Sequence, residues 1–355
     1  MQNFQPNWCS PPGVTIQSLA KKNDFSNEEL MNQLDLESDD FKNLLKGFSK
    51  LTSDIAERLE GVFGVSKSFW INREKNYFQS LKHQASECES WFNELPVSDL
   101  VNRGFLIKNS SKPYKVAQCL DFFESKAIDE WESLYQSQME KVAFRTSNSF
   151  DSKPLAVTTW LKLADVYSAD QKPEKLNKEL LLANLSKIKP LSRITEPKIF
   201  LPQLKSILNN CGVKLAVVKP IKGCKASGAT FFKEGTPIVA LSFRYLSDDH
   251  FWFTLFHELG HVVLHSKTQV FIEGIGNDSE PEMFEEEANE FAMSTLVPRE
   301  YQAYLFSLRV KDYAKIMRLA RQLEVSAGIL VGQLQHKGLI PHSHLNKLKT
   351  KYKWG

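Results

Sequence analysis

The chain has 355 residues, of which 42% are hydrophobic and 25% charged, and its net charge is +3. This composition is ordinary for a globular protein and excludes a disordered, collagen-like or disulfide-stapled chain. Apolar runs such as 213–218 are far shorter than the roughly 18 residues that a membrane span needs. Residues 1–13 have neither the basic segment nor the apolar core of a signal peptide, so we expect a cytoplasmic protein without membrane contact.

The first 80 residues have the pattern of several short helices. Apolar residues recur at helical spacing from Val14 to Tyr77. Ser26, followed three residues later by Glu29, is a capping-box signature, and Thr52 is placed to cap the fourth helix. Residues 81–190 also have helical periodicity, interrupted by prolines, and contain no motif typical of a reaction centre.

The pattern changes after Pro197. A helix precedes a β-branched run at 213–218, and the apolar runs 229–232 and 238–241 flank a short turn, which is typical of a β-hairpin. A long helix is predicted from about Asp248 to His265, with Ser247, Asp248 and Asp249 as capping residues. A polar loop at 266–284 leads to a second helix from Glu285 to about Leu296, which Pro298 ends.

The strongest chemical signal is the sequence His257-Glu258-Leu259-Gly260-His261. Residues four apart share one face of a helix, so both imidazoles can reach one metal ion, while Glu258 projects beside them. The alternative is two surface histidines on a structural helix. The apolar neighbours disfavour that interpretation, since they would bury His257, Glu258 and His261 without partners.

A catalytic zinc site needs a third protein ligand and an open fourth position. In the second helix Glu285 shares the inward face with Ala288, which makes it the best candidate, and Asn289 lies one turn further on to orient a ligand. Glu286 and Glu287 are expected on the solvated side. His265, one turn after His261, is the alternative third ligand.

These motifs resemble the ImmA/IrrE family of metallopeptidases. The resemblance rests on H-E-L-G-H, then E-x-x-A-N-x-F-A from Glu285, then Leu296-Val297-Pro298. It implies a zincin-like fold with His257, His261 and Glu285 as zinc ligands and Glu258 as the general base. It also implies a protein substrate, often a helix-turn-helix repressor cleaved in a stress or mobile-element response.

The N-terminal residues are similar to the helix-turn-helix of XRE-type repressors, and their flanks to HigA-type antitoxins. The similar stretches are 26–34 and 55–60, with Phe41, Leu44 and Gly47. Three features depart from that pattern. Asp35 stands where the turn usually has glycine, Met31 where a small residue is usual, and residues 24–46 hold seven acidic but only two basic side chains. Because DNA binding depends on basic residues, we expect this segment to bind protein or to form a homodimer rather than to read DNA.

The whole chain is therefore predicted to be mainly α with a small β-sheet (α+β). The predicted parts are a helix-turn-helix bundle at 1–80, a helical middle region at 81–190, a metallopeptidase core at 191–310 and a helical subdomain with a basic tail at 311–355. The apolar face of 311–348 is expected to pack on the core. Residues 347–355, with four lysines, are expected to be solvated and dispensable for folding and zinc content.

The predicted function is that of a zinc-dependent endopeptidase with a regulatory or docking domain. Tyr301, Arg244 and His265 are the candidate donors to the tetrahedral oxyanion, and an edge strand near 226–232 is the candidate site for substrate addition. The alternative is an antitoxin-like, DNA-binding regulator with a structural or sensory metal site. A structural site has no use for Glu258, which favours the enzyme. The substrate, the activating signal, any toxin partner and the oligomeric state do not follow from the sequence.

Overall fold

The computed structural model describes residues 10–135, 152–265, 271–272 and 282–353. The chain divides into two compact units, Met1–Gln136 and Ser137–Gly355. That division lies inside the helical region predicted at 81–190, and the four-part arrangement stays a prediction. No helix of the described residues combines the length and the apolar character needed to cross a membrane.

All regular secondary structure in the described residues of the first unit is helical. It consists of eight labelled helices and a further helical segment at residues 128–135. Its helices are α1 (Pro12–Lys22), α2 (Asn27–Leu34), α3 (Ser38–Lys46), α4 (Ser53–Phe63), α5 (Lys67–Glu87), α6 (Glu89–Glu94), α7 (Val97–Asn102) and α8 (Lys112–Phe122). The first five pack around a core that includes Ile16, Leu30 and Trp70.

The predicted helix caps of this unit are confirmed. The Ser26 hydroxyl accepts a hydrogen bond from the Glu29 amide at 3.2 Å, and the Glu29 carboxylate accepts one from the Ser26 amide at 2.8 Å. Thr52 accepts from the amide of Ile55. Asp35, between α2 and α3, has a left-handed backbone with φ of 51°, and Arg58 pairs with its carboxylate at 3.1 Å. The resemblance to a helix-turn-helix protein stays a prediction.

The second unit places a small sheet among helices. The helices are α9 (Pro154–Tyr167), α10 (Lys178–Ile188), α11 (Pro197–Asn210), α12 (Asp248–Leu264), α13 (Glu282–Leu296), α14 (Arg299–Ser307), α15 (Tyr313–Gln322) and α16 (Ala327–His336). The strands are β1 (Lys214–Val217), β2 (Gly228–Lys233), β3 (Thr236–Leu241) and β4 (Phe271–Ile272). The α+β fold class is confirmed.

The sheet has the strand order β1-β3-β2-β4. The predicted hairpin is present as β2 and β3, which pair antiparallel, while β1 pairs parallel with β3. β4 pairs antiparallel with β2 at Ala229 and Thr230. The polar loop predicted at 266–284 otherwise lies largely outside the described residues.

The C-terminal helices belong to the core of the second unit, as predicted. Ile316, Leu319 and Leu330 are buried in the same apolar cluster as Trp252 of α12. The same cluster also includes Leu215, Val239 and Leu241 of the sheet, so helices and sheet share one core.

The expectation that residues 347–355 are solvated is wrong for Lys349 and Tyr352. Tyr352 is 2% exposed, and its hydroxyl accepts a hydrogen bond from the Trp252 indole at 2.9 Å. The Lys349 ammonium lies 2.5 Å from a carboxylate oxygen of Asp249. Lys347, Lys351 and Lys353 are exposed, as expected. The error arose because both partners of this tail lie 100 residues away in the sequence.

The start of α12 also differs from the expectation. Ser247 makes no side-chain cap, and its hydroxyl donates instead to Asp249 at 2.6 Å. Burial raises the pKa of Asp248 to about 6. Burial would also raise the pKa of Asp249, but hydrogen bonds from Lys349 and Ser247 outweigh it and lower that pKa. Lys349 therefore stabilises the charged form of a carboxylate that α12 has buried.

We expect Tyr352→Ala to lower the free energy of unfolding of the full chain by about 3 kcal/mol, because it leaves a cavity beside Trp252 and removes a hydrogen bond. Lys353→Ala, at an exposed neighbouring position, is the matched control and should change stability little. Urea unfolding followed by tryptophan fluorescence would measure both. Equal midpoints for Tyr352→Ala and the unsubstituted protein would contradict this packing.

Candidate metal centre

Three side chains from two helices bring their ligand atoms together. The Nε2 atoms of His257 and His261 on α12 are 3.0 Å apart. Carboxylate oxygens of Glu285 on α13 lie 3.3 Å from His257 Nε2 and 3.6 Å from His261 Nε2. These three residues form the group of described residues that could hold a metal ion.

The spacing of these atoms fits a tetrahedral ion. Ligand bonds of 2.0–2.2 Å in a tetrahedral site place neighbouring ligand atoms about 3.3–3.5 Å apart. The measured separations of 3.0–3.6 Å scatter around that value. Imidazole nitrogen with carboxylate oxygen is also a donor set that zinc accepts. The residues present therefore fit a metal ion with three protein ligands.

The hydrogen bond of His257 leaves its Nε2 available as a ligand. Its Nδ1 lies 3.0 Å from the Oδ1 atom of Asn289, one turn after Glu285. An amide oxygen only accepts, so we assign the ring proton to Nδ1, which leaves the lone pair on Nε2. Asn289 thus stands where the sequence placed it, beside a histidine of the candidate centre.

His265 and Glu287 together leave the Nε2 atom of His261 available as a ligand. The Nε2 atom of His265 lies 3.0 Å from a Glu287 carboxylate oxygen, and its Nδ1 lies 2.9 Å from Nδ1 of His261. Since a carboxylate accepts, we assign the proton of His265 to Nε2 and that of His261 to Nδ1. The Nε2 lone pair of His261 then faces Glu285. His265 therefore contacts the Nδ1 atom of His261 and is not placed as a third ligand.

The close approach of α12 and α13 makes this geometry possible. A Cβ atom built on Gly260 would lie 3.2 Å from the Ala288 Cα and 3.2 Å from the Phe291 ring. The absence of a side chain at Gly260, opposite the small Ala288, lets the two backbones come near each other. Glu285 lies one turn before Ala288 and so reaches the histidines of α12.

Glu258 is fully buried beside the ligands and held from strand β2. The Thr230 hydroxyl lies 2.7 Å from its Oε2 atom and 3.1 Å from its backbone oxygen. A Cβ atom on Gly228 would lie 2.6 Å from Oε1 of Glu258. A side chain at Gly228 would therefore displace the carboxylate, so glycine at this position serves the close packing of β2 against it.

Arg244 and Tyr301 have partners other than the ligands. The Arg244 guanidinium donates to the backbone oxygen of Lys225 and lies over the Tyr245 ring, 5.2 Å from its centroid. The Tyr301 hydroxyl accepts a hydrogen bond from Gln322 at 3.0 Å. Among the described residues neither side chain hydrogen-bonds to His257, His261 or Glu285, and the role of oxyanion donor stays a prediction.

One expectation about the surroundings needs correction. Strand β2 is not a free edge at Ala229 and Thr230, because β4 pairs with both, so an extended substrate cannot add to β2 at these residues. Glu287 is exposed, as expected, with 46% of its side chain accessible, and it also bonds His265. Glu287, Thr230 and Gly228 were missed as site residues. The spacing of His265 four residues after His261 was a signal that something on α13 would face it.

The comparisons with known proteins concern the second unit. Residues 216–334 match the family model Peptidase_M78, described as an IrrE N-terminal-like domain. The matched range contains all three candidate ligands and extends through most of α16. This match supports a metallopeptidase-like domain in this part of the chain. The searches of curated proteins and of solved structures found no match.

We expect His265→Ala to weaken binding of zinc, used as the probe, by about 10- to 100-fold, because His261 loses the contact that selects its tautomer. Glu287→Ala should act in the same direction but less strongly. His344→Ala removes an exposed histidine and is the control. Competition with a zinc-binding dye would give the three dissociation constants, and thermal melting would check the fold. An unchanged constant in His265→Ala would contradict the assignment.

Proposed function

We propose that the protein is a zinc-dependent endopeptidase whose centre is formed by His257, His261 and Glu285. The single observation that carries the proposal is the fully buried Glu258 on the same helix as two imidazole ligands. A metal site that serves only structure would not need a carboxylate buried next to it, since such burial is costly. The match to a metallopeptidase family model over 216–334 supports the same activity.

The chemistry expected of zinc at such a centre is polarisation of a carbonyl and acidification of a water molecule. Glu258 accepts the proton of the attacking water and passes it to the leaving amine. Thr230 and the close packing at Gly228 hold its carboxylate in one position throughout. Asn289 and His265 keep the two imidazoles in the ligand tautomer. His265 is engaged at both ring nitrogens, which makes it a poor candidate for the oxyanion donor.

We further propose that the first unit docks a protein partner in the cytoplasm. Glu37, Asp39 and Asp40, at the start of α3, are all exposed to solvent. An acidic surface repels phosphates but complements a basic protein. A helix-turn-helix repressor carries such a basic surface for its own DNA, which fits the substrate that the sequence resemblance implies. Self-association through this unit is a further proposal.

We expect Glu258→Gln to keep the zinc and the fold but to lose cleavage, because the amide can still accept from Thr230 but cannot act as a base. Mass spectrometry of protein termini would compare cells that make the unsubstituted protein with cells that make Glu258→Gln. New termini should be confined to the former. Glu285→Ala is the companion variant, which should lose both zinc and cleavage. The same new termini in cells with Glu258→Gln would contradict the mechanism.

We expect the full chain to bind DNA weakly and without sequence preference at physiological salt. Exposed carboxylates at the start of α3 oppose the approach of phosphates. Fluorescence anisotropy with the gene's own upstream DNA and with a scrambled duplex of the same length would measure this. A sub-micromolar complex with the upstream duplex alone would favour the antitoxin-like regulator instead.

A further inference from the structure

A cavity of about 430 Å³ lies between α12, α13 and α16, next to the candidate metal centre. Its volume falls within the range of small-ligand sites. Asn289 lines it and holds Nδ1 of His257 at 3.0 Å, and Thr254 lines it one turn before Glu258 on α12. A group that enters the cavity therefore lies beside the residues that carry the candidate ligands and the base.

The inner wall of this cavity is apolar. Phe253 and the buried Thr254 come from α12, the half-buried Met293 from α13 and the buried Ile329 from α16. Gln333 also belongs to the wall, but its amide nitrogen and oxygen are enclosed by protein, so a bound group cannot contact them. An aliphatic side chain placed against this wall would lose contact with water, which favours its binding.

The mouth of the cavity, in contrast, is polar and rich in basic groups. It is lined by Tyr245, His250, His336 and Lys337, which are all exposed. The Tyr245 ring stacks on the His250 ring, with their centroids 4.2 Å apart, and the Arg244 guanidinium lies 5.2 Å from the Tyr245 centroid. One lysine, one arginine and two histidines therefore lie at this mouth or directly beside it.

Further basic groups surround His250. Burial lowers the pKa of His250 and Asp249 raises it, while Lys349, Lys351 and His342 lower it further. These three neighbours act on His250 because they are close to it. The C-terminal segment thus adds two lysines and a histidine to the surroundings of the mouth.

The acidic side chains beside the cavity are paired or enclosed. Among the described residues that line it, Asp249 carries the carboxylate, and the Lys349 ammonium lies 2.5 Å away. Asp248 is fully buried, and Glu290 of α13 accepts hydrogen bonds from Arg299 at 3.0 and 3.2 Å. The carboxylates of the candidate centre would be offset by a divalent ion. The mouth therefore has an excess of positive charge, which complements an acidic segment of a partner.

We propose that this cavity receives an apolar side chain of the substrate next to the scissile bond, and that its basic mouth favours acidic residues beside that side chain. This inference rests on the proposed endopeptidase function. The apolar wall gains from the burial of an aliphatic group, whereas the exposed basic groups attract carboxylates and repel ammonium groups. Because water and salt screen exposed charges, the acidic preference should be the smaller of the two and should depend on salt.

Peptide hydroxamates test the proposal, since a hydroxamate binds zinc and carries the neighbouring side chains to one side of it. One series extends from the hydroxamate toward the amino end of a substrate and a second toward the carboxyl end, so that the cavity can be reached from either direction. Each series has a leucine side chain or none beside the hydroxamate, followed by aspartate, asparagine or lysine. Calorimetry with the zinc-loaded full chain gives the dissociation constants.

In one of the two series, the leucine compounds should bind at least about tenfold more tightly than those without a side chain, at low and high salt alike. Among the leucine compounds, aspartate should bind about three- to tenfold more tightly than lysine at low salt, with asparagine between them. That difference should largely disappear at about 1 M salt, where charges are screened within about 3 Å.

Two variants separate the two preferences. The double variant Lys337→Gln and His336→Gln should reduce the preference for aspartate and keep the preference for leucine. Met293→Ser should do the reverse. Lys198→Gln, at an exposed lysine of α11 that does not line the cavity, is the control and should keep both. Zinc content and melting temperature check that each variant is folded.

The inference is overturned if neither series prefers leucine, or if aspartate and lysine bind equally at low salt. A preference for aspartate that is undiminished in the double variant also contradicts it. The failure of the proposed function has a different signature. If the unsubstituted protein does not retain zinc, the endopeptidase proposal fails and the assignment of the cavity fails with it. If zinc is retained and the hydroxamates bind without discrimination, the metal centre stands and only the role of the cavity is refuted.

Discussion

The candidate metal centre depends on the close crossing of α12 and α13 at Gly260 and Ala288. Its three ligands come from two helices, and a side chain at Gly260 would meet the α13 backbone at 3.2 Å. A Cβ atom at Gly260 would require α13, the helix that carries Glu285, to shift by a few tenths of an ångström. The glycine inside the H-E-L-G-H sequence therefore affects the candidate metal site through packing, although it carries no ligand atom itself.

Hydrogen bonds from residues that are not themselves ligands select the tautomers of the two imidazoles. Asn289 and the pair His265–Glu287 occupy the Nδ1 sides of His257 and His261. Both Nε2 lone pairs are thereby directed at the same point. Strand β2 performs the corresponding task for Glu258 through Thr230. Strand β2 thus positions the candidate base of α12, and α13 orients its candidate histidine ligands.

Much of this centre could be predicted from the sequence because its information is local. His257 and His261 share a face by helical spacing, and Glu285 could be chosen from its helix by its phase relative to Ala288. The contact of Glu287 with His265 was missed because it depends on how α12 and α13 are rotated against each other. The burial of Lys349 and Tyr352 was missed because their partners lie 100 residues away. A charge pattern alone cannot reveal a partner in a distant segment.

The pairing of the sheet limits how the proposed endopeptidase binds an extended substrate. β4 pairs with Thr230, the residue that holds Glu258, so the edge of β2 closest to the base is already used. Backbone pairing with β2 at that position, which would accept almost any extended chain, is thereby excluded. For the proposed endopeptidase, the selection that remains available beside Glu258 lies in contacts to substrate side chains. A buried carboxylate next to a strand that is already paired is the feature of this site from which that constraint follows.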